Sequence, residues 1–119
     1  MLPIPSLYLK GSFNGWGLDT PFIQLNNDQF YVDLVLSADS HRFKITDENG
    51  TNDWSFSAHP SKAIPLSLTN PIPLIKTQGI GNDLIFTHNT TEKFRIILDL
   101  TQHSTPVLTI EHLLSLIHI

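Results

Sequence analysis

The chain has no cysteine among its 119 residues. A disulfide framework and any cysteine-based metal site are therefore excluded, and the redox compartment cannot be read from it. Charge is also sparse, with 7 Lys+Arg against 11 Asp+Glu and a formal net charge of −4. The basic residues are scattered, which argues against a nucleic-acid surface. No apolar run approaches the roughly 20 residues of a bilayer span, so no membrane segment is expected. The six histidines show no metal-ligand spacing, and no serine sits in a nucleophile-elbow motif. Asp47, Glu48 and Asp53 crowd one loop. Glycoside hydrolysis instead needs two carboxyls held about 5–10 Å apart across a cleft. Catalysis, a metal and a cofactor are all unexpected here. Asn49-Gly50-Thr51 and Asn89-Thr90-Thr91 fit glycosylation sequons, triplets that arise often by chance in a chain rich in Asn and Thr.

A helical period is missing too, and no internal repeat is visible. What is present is strand punctuation: eight prolines and several Asn-Gly, Asn-Asp and Gly-Asn pairs between short β-rich runs. Residues 7–10 alternate, and 21–25 and 30–36 make a hairpin across Asn26-Asn27-Asp28. Residues 41–46 follow, with Phe43 and Ile45 on one face and Arg42, Lys44 and Thr46 on the other. Between 55 and 81 the pattern dissolves, because Pro60, Pro65, Pro71 and Pro73 each lack a ladder donor. Short strand pieces are expected there at 64–68 and 72–76. Strands at 83–87, 93–100 and 107–111 close the domain. About seven short antiparallel strands predict an all-β, immunoglobulin-like (early-set) β-sandwich.

The ends carry their own expectations. Met1-Leu2-Pro3-Ile4-Pro5 has no basic n-region and no apolar h-region, so it is no signal peptide. Residues 1–6 read as a linker from an upstream segment, and 7–113 as the module itself. The hexapeptide Leu114-Ser115-Leu116-Ile117-His118-Ile119 resembles the translation of a transposase-type sequencing adapter. Residues 114–119 are therefore expected to be non-native.

The most informative stretch is Leu7-Tyr8-Leu9-Lys10-Gly11-Ser12-Phe13-Asn14-Gly15-Trp16, an alternating strand that runs into a glycine-rich turn and a tryptophan. Phe13 can anchor the turn and the glycines can supply positive φ. Trp16 is either a core plug or a stacking platform for a flat ligand. Trp54, the second of two tryptophans, also lies at a strand end. Lys44 offers three donors from a polar strand face, and Asn82 and Asp83 stand at the start of a later strand. Each has a plain structural alternative: a core tryptophan, a solvated edge lysine, a turn-shaping asparagine.

Taken in order, Gly-Ser-Phe-Asn-Gly-Trp, then Phe-Lys-Ile-Thr-Asp with a tryptophan ten residues beyond the lysine, then Gly-Asn-Asp-Leu form a more specific pattern. It resembles carbohydrate-binding module family 48 and the glycogen-binding domain of the AMP-activated kinase β-subunit. It is closer still to the N-terminal β-sandwich modules of bacterial pullulanases and other glycoside hydrolase family 13 enzymes. The resemblance runs from about Leu7 to Glu111. It implies that Trp16, Lys44, Trp54 and Asn82 contact an α-glucan, with Asp83 standing where a second asparagine is common. It further implies a non-catalytic module whose partners are starch, glycogen or pullulan and a catalytic barrel of the same polypeptide, in a secreted or cell-surface bacterial parent. The loop from Asp47 to Asp53 is longer than the tight Asp-Gly turn of the kinase-type pattern and is expected to reorient Trp54. The alternative function is a structural spacer that packs against the barrel and binds no sugar. A glycogen sensor attached to a kinase is a third reading.

Overall fold

The computed structural model describes residues 4–58, 64–76 and 83–113. Among them, eleven strands build two sheets. Along the chain these are β1 (Leu7–Gly11), β2 (Ile23–Gln24), β3 (Gln29–Leu36), β4 (Asp39–Asp47), β5 (Phe56–Ser57) and β6 (Ile64–Pro65). There follow β7 (Ile72–Pro73), β8 (Ile75–Lys76), β9 (Leu84–His88), β10 (Glu92–Asp99) and β11 (Val107–His112). Helical geometry among the described residues is confined to two 3-10 turns, Ser12–Asn14 and Asn52–Trp54. No helix there is long and apolar enough to cross a membrane.

The first sheet runs β6-β9-β4-β5-β8, with β1 also paired to β4. Phe43 pairs with both Gly11 of β1 and Leu84 of β9, while Ile45 pairs with both Leu9 of β1 and Phe56 of β5. β1 therefore occupies one edge of β4, and β9 and β5 share the other, end to end. The second sheet runs β2-β3-β10-β11-β7. All pairs are antiparallel except β6 with β9.

Period-two alternation explains which faces meet. Phe30, Val32 and Leu36 of β3, Phe94, Ile96 and Leu98 of β10, and Leu108 and Ile110 of β11 turn inward. From the first sheet Leu7, Leu9, Phe43, Ile45, Leu84 and Phe86 meet them in one core. Each fully buried Phe or Leu contributes about 1.5–3 kcal/mol by burial. The result is the immunoglobulin-like antiparallel sandwich expected from the sequence.

Three local expectations need correction. The strand expected at 21–25 shrinks to Ile23–Gln24 because Pro21 bridges Tyr8 and Phe22 N donates to Leu7 O (2.8 Å), both in the other sheet. Residues 21–24 thus carry the chain from one sheet to the other. The pieces expected at 64–68 and 72–76 are cut to two-residue strands, with Pro65 and Pro73 inside two of them. Thr46, assigned to the polar face with Arg42 and Lys44, is buried, its hydroxyl 3.3 Å from Ser55 Oγ beneath the following loop.

Four carboxyls are held below their ordinary range. Arg95 donates to Asp33 through Nε (2.7 Å) and Nη2 (2.9 Å), and those bonds lower Asp33 while its guanidinium lies 4.4 Å above the Tyr31 ring. Burial pushes Asp47 up, but hydrogen bonds from the Thr51 hydroxyl and the backbone of Thr51, Gly50 and Asn49 outweigh it. The Thr90 hydroxyl lowers Glu92, assisted by His112 and His88, and Thr101 lowers Asp99. A carboxyl depressed in the folded state binds protons more readily once unfolded. Its stabilisation is complete above the unfolded value and is lost as pH falls through the folded one. Thermal melts should therefore change little from pH 7 to 5 and drop steeply below about pH 4. Asp33→Asn should flatten that drop. An unchanged melting temperature at pH 3 would refute the assignment.

Candidate functional site

β1 ends at Gly11, and the turn beyond it is tied from several sides. Asn14 Oδ1 accepts from Gly11 N (3.0 Å), while Asn14 Nδ2 donates to Leu9 O (2.9 Å) and Thr20 Oγ1 (3.1 Å). Phe13 meets buried Phe43 edge to face, at a centroid distance of 6.5 Å. Gly15 takes φ 65°, and Trp16 follows with φ 62° and its amide bonded to Gly11 O (2.9 Å). A left-handed conformation suits glycine but costs a bulky L-residue roughly 1–2 kcal/mol. The indole nonetheless remains 39% exposed. Trp16 is thus no core plug: a firmly tied turn holds it in a strained conformation at the surface.

Next along the outer face of the first sheet come the cations. Lys10 and Lys44 are cross-strand partners, and Arg42 lies two residues before Lys44 on the same side of β4. Lys44 sits at the seam where β9 gives way to β5, since its neighbours Phe43 and Ile45 pair with Leu84 and Phe56. Asp83, the residue before β9, fills that seam. Its carboxylate lies 3.8 Å from Lys44 Nζ and 3.4 Å from Arg42 Nη1. Partly exposed pairs of this kind are worth about 0–1 kcal/mol. Their effect here is positional, because Asp83 holds two long side chains over one patch of sheet. Asn82 lies outside the described residues, as does the segment 114–119.

Trp54 closes the loop after β4. Asp47 organises this loop, accepting from Thr51 N (2.9 Å) and Thr51 Oγ1 (2.7 Å), with Gly50 at φ 66°. Ser55 Oγ donates to Thr51 O (2.6 Å) and Trp54 N to the same oxygen (3.2 Å). The indole is half-buried, edge-on to Phe56 at 6.4 Å. The His103 imidazole stacks on it at 4.2 Å and 25°, with Nε2 3.1 Å from Asp53 O. Asp53 also pairs with Lys76 at 3.8 Å. Of the acidic loop cluster, Asp47 is thus a structural cap and Asp53 a surface ion-pair partner. Among the described residues, no group of three His, Cys, Asp or Glu side chains could hold a metal ion.

The candidate residues therefore line up along β4. Trp16 is anchored beside Phe43, and Lys44 with Asp83 comes next. Trp54 is tied through Ser55 to Thr46, three residues or about 10 Å from Phe43 at strand spacing. The Trp16 turn thus joins β4 at the Gly11–Phe43 pair and the Trp54 loop joins it at Thr46. Arg42, which the alternation places on the polar face with Lys44, was not expected at the site, and Asp83 brings it there. His103 was not expected either, and no local signal links its loop to Trp54.

The two sheets, their one core and the crossing at residues 21–24 define the chain as an immunoglobulin-like β-sandwich with a surface aromatic and a polar stripe on one sheet. No family model matches the chain, and no curated protein matches it. Among solved structures, it is similar to the ligand-induced structure of AmyP-SBD, with a TM-score of 0.68 at 14% identity. That alignment covers 92% of this chain and 74% of the other. At that identity the likeness is one of fold. The resemblance to family 48 modules and to the kinase glycogen-binding domain continues to rest on the motifs quoted for it.

Proposed function

We propose that this chain is a non-catalytic carbohydrate-binding module for an α-glucan of the starch, glycogen or pullulan type. The observation that carries the reading is Trp16, a large aromatic kept exposed in a strained conformation by a turn built to hold it. Strain of this kind persists where surrounding structure over-determines it, and it clusters at ligand sites. An α-glucan exposes apolar C–H faces of its pyranose rings, and burying one on an indole is worth roughly 1–3 kcal/mol. Lys44, oriented by Asp83, supplies donors to hydroxyls beside the platform. Asn82, which precedes Asp83 in the chain, supplies both donor and acceptor. Trp54 is the second aromatic contact. The fold likeness to AmyP-SBD, a starch-binding domain of an amylase, supports this ligand class.

In the same reading the module belongs to a larger secreted or cell-surface glycoside hydrolase of pullulanase kind. There it would raise the local glucan concentration at a catalytic barrel by tethering. The spacer alternative draws on a different observation. Ile23, Leu25 and Val35, on strands of the second sheet and the turn beside them, are more than half exposed, and His103 covers one face of Trp54.

Electrophoresis of the whole chain in gels with and without soluble starch tests the proposal. Retardation by starch that disappears in a Trp16→Ala, Trp54→Ala variant is the expected result. Unretarded migration of the folded wild type, at starch levels that slow a known binder, would leave the spacer reading.

A further inference from the structure

We propose that the hollow at the Trp54 end of the sandwich is a second sugar subsite, separate from the Trp16 platform, that takes one or two hexose units. The ligand class rests on the function proposed above; the position rests on geometry alone. The hollow measures about 310 Å³, at the small end of ligand-sized pockets. Trp54, Leu100 and Ile4 give it apolar walls, and His103 adds an imidazole pinned against Trp54. Asn27, Asp28 and Thr101 supply the polar side.

The polar groups at the rim face solvent and are available to a ligand. Asn26 shapes the β2–β3 turn: its Oδ1 accepts from Asp28 N (3.0 Å) and Gln29 N (2.9 Å), and its Nδ2 donates to Gln29 Oε1 (2.7 Å). The neighbouring Asn27 and Asp28 side chains are thereby released from turn-making. Both residues are exposed, and neither side chain has a hydrogen-bond or ion-pair partner among the described residues, so both are open to a ligand at the rim. Leu100 N bonds Asp28 O (2.7 Å), Thr101 N bonds Asp99 Oδ1 (2.9 Å), and His103 Nε2 meets Asp53 O (3.1 Å). Three separate loops are thus fixed around one opening, so little ordering remains to oppose binding.

An amide with donors and an acceptor, beside a carboxylate that only accepts, complements adjacent hydroxyls of a sugar ring. The apolar walls complement its C–H face. A free carboxylate at the rim disfavours anionic ligands, so a neutral polyhydroxylated ligand fits best. The lining of the hollow includes neither Trp16 nor Lys44, and two separate subsites on one module would make affinity grow with glucan length, because a chain held at one is presented to the other.

With two tryptophans in the chain, each subsite has its own fluorophore. In Trp16→Asn, Trp54 is the sole indole, and its emission is followed during titration with maltotriose. A saturable change is expected, and adding Asn27→Ala and Asp28→Ala should weaken it at least tenfold in a protein whose circular dichroism melt stays cooperative. A response unaffected by those two substitutions would overturn the proposal. So would a silent Trp54 while Trp16, alone in a Trp54→Phe variant, still responds; in that case glucan binding stands and the second subsite falls. Silence of both variants and of the wild type would remove the glucan reading itself.

Discussion

Trp16→Asn is expected to abolish most starch retardation while the protein melts at the same temperature or slightly higher. The two effects have separate origins. At φ 62° the tryptophan backbone carries strain of roughly 1–2 kcal/mol. Asparagine is among the few non-glycine residues enriched in that conformation, so its substitution relieves strain. Trp16 is 39% exposed and does not pack against the core cluster, so its removal leaves the core contacts intact. Binding loses the stacking contribution of roughly 1–3 kcal/mol, which corresponds to about five- to hundred-and-fifty-fold in affinity. Thermal melts and starch-gel mobility of the same two proteins read both effects. A fall in melting temperature with binding retained would make Trp16 a packing residue and move the platform elsewhere.

That opposition between stability and binding at one residue separates a ligand site from a structural turn. If positive φ were needed only to turn the chain, glycine or asparagine would serve at position 16 as glycine does at 15. The neighbouring stripe is consistent with this. Asp83 draws Arg42 and Lys44 together at a seam where the sheet changes edge partner, which concentrates donors at one place on an otherwise sparsely charged chain.

Much of the fold was legible wherever one strand face is buried and the other is wet. The alternation of Phe30 to Leu36, of Phe43 with Ile45, and of Phe94 with Ile96 and Leu98 marks core-facing positions directly. It fails where partners come from elsewhere. Pro21 and Phe22 resemble the start of a strand with Ile23, yet their hydrogen bonds go to β1 in the opposite sheet. Thr46 alternates correctly with Lys44, but the loop capped by Asp47 folds back and covers it. The parallel β6–β9 pair links two-residue and five-residue strands whose register no local pattern records. At the site, the decapeptide ending at Trp16 carries its own architecture, since Phe13, Asn14 and Gly15 lie within it. Trp54 does not: its stacking partner His103 arrives from the β10–β11 loop, and a motif read along the chain places the indole without showing what covers it.

Gly11→Ala should damage the fold and the Trp16 turn together. Gly11 is the last residue of β1, opposite Phe43, and its carbonyl accepts the Trp16 amide. A methyl group there would overlap the Arg42 carbonyl oxygen and come within 2.7 Å of Phe13 Cε1 and 2.8 Å of Phe43 Cβ. The backbone oxygen belongs to the central strand of the first sheet and Phe43 is fully buried, so neither yields cheaply. Overpacking of this kind costs about 1–3 kcal/mol. For a domain of this size that is a fall of roughly 4–20 °C in melting temperature. Any relaxation must push β1 away from β4 or lift Phe13, and either movement takes the Trp16 turn with it. Starch binding should therefore weaken in the fraction that remains folded, unlike in an Asp33→Asn control, which is destabilised only through its ion pair on the opposite sheet. A Gly11→Ala protein that melts like the wild type and binds starch equally well would show that the turn and the sheet are not coupled through this residue, and the rigid presentation of Trp16 would lose its basis.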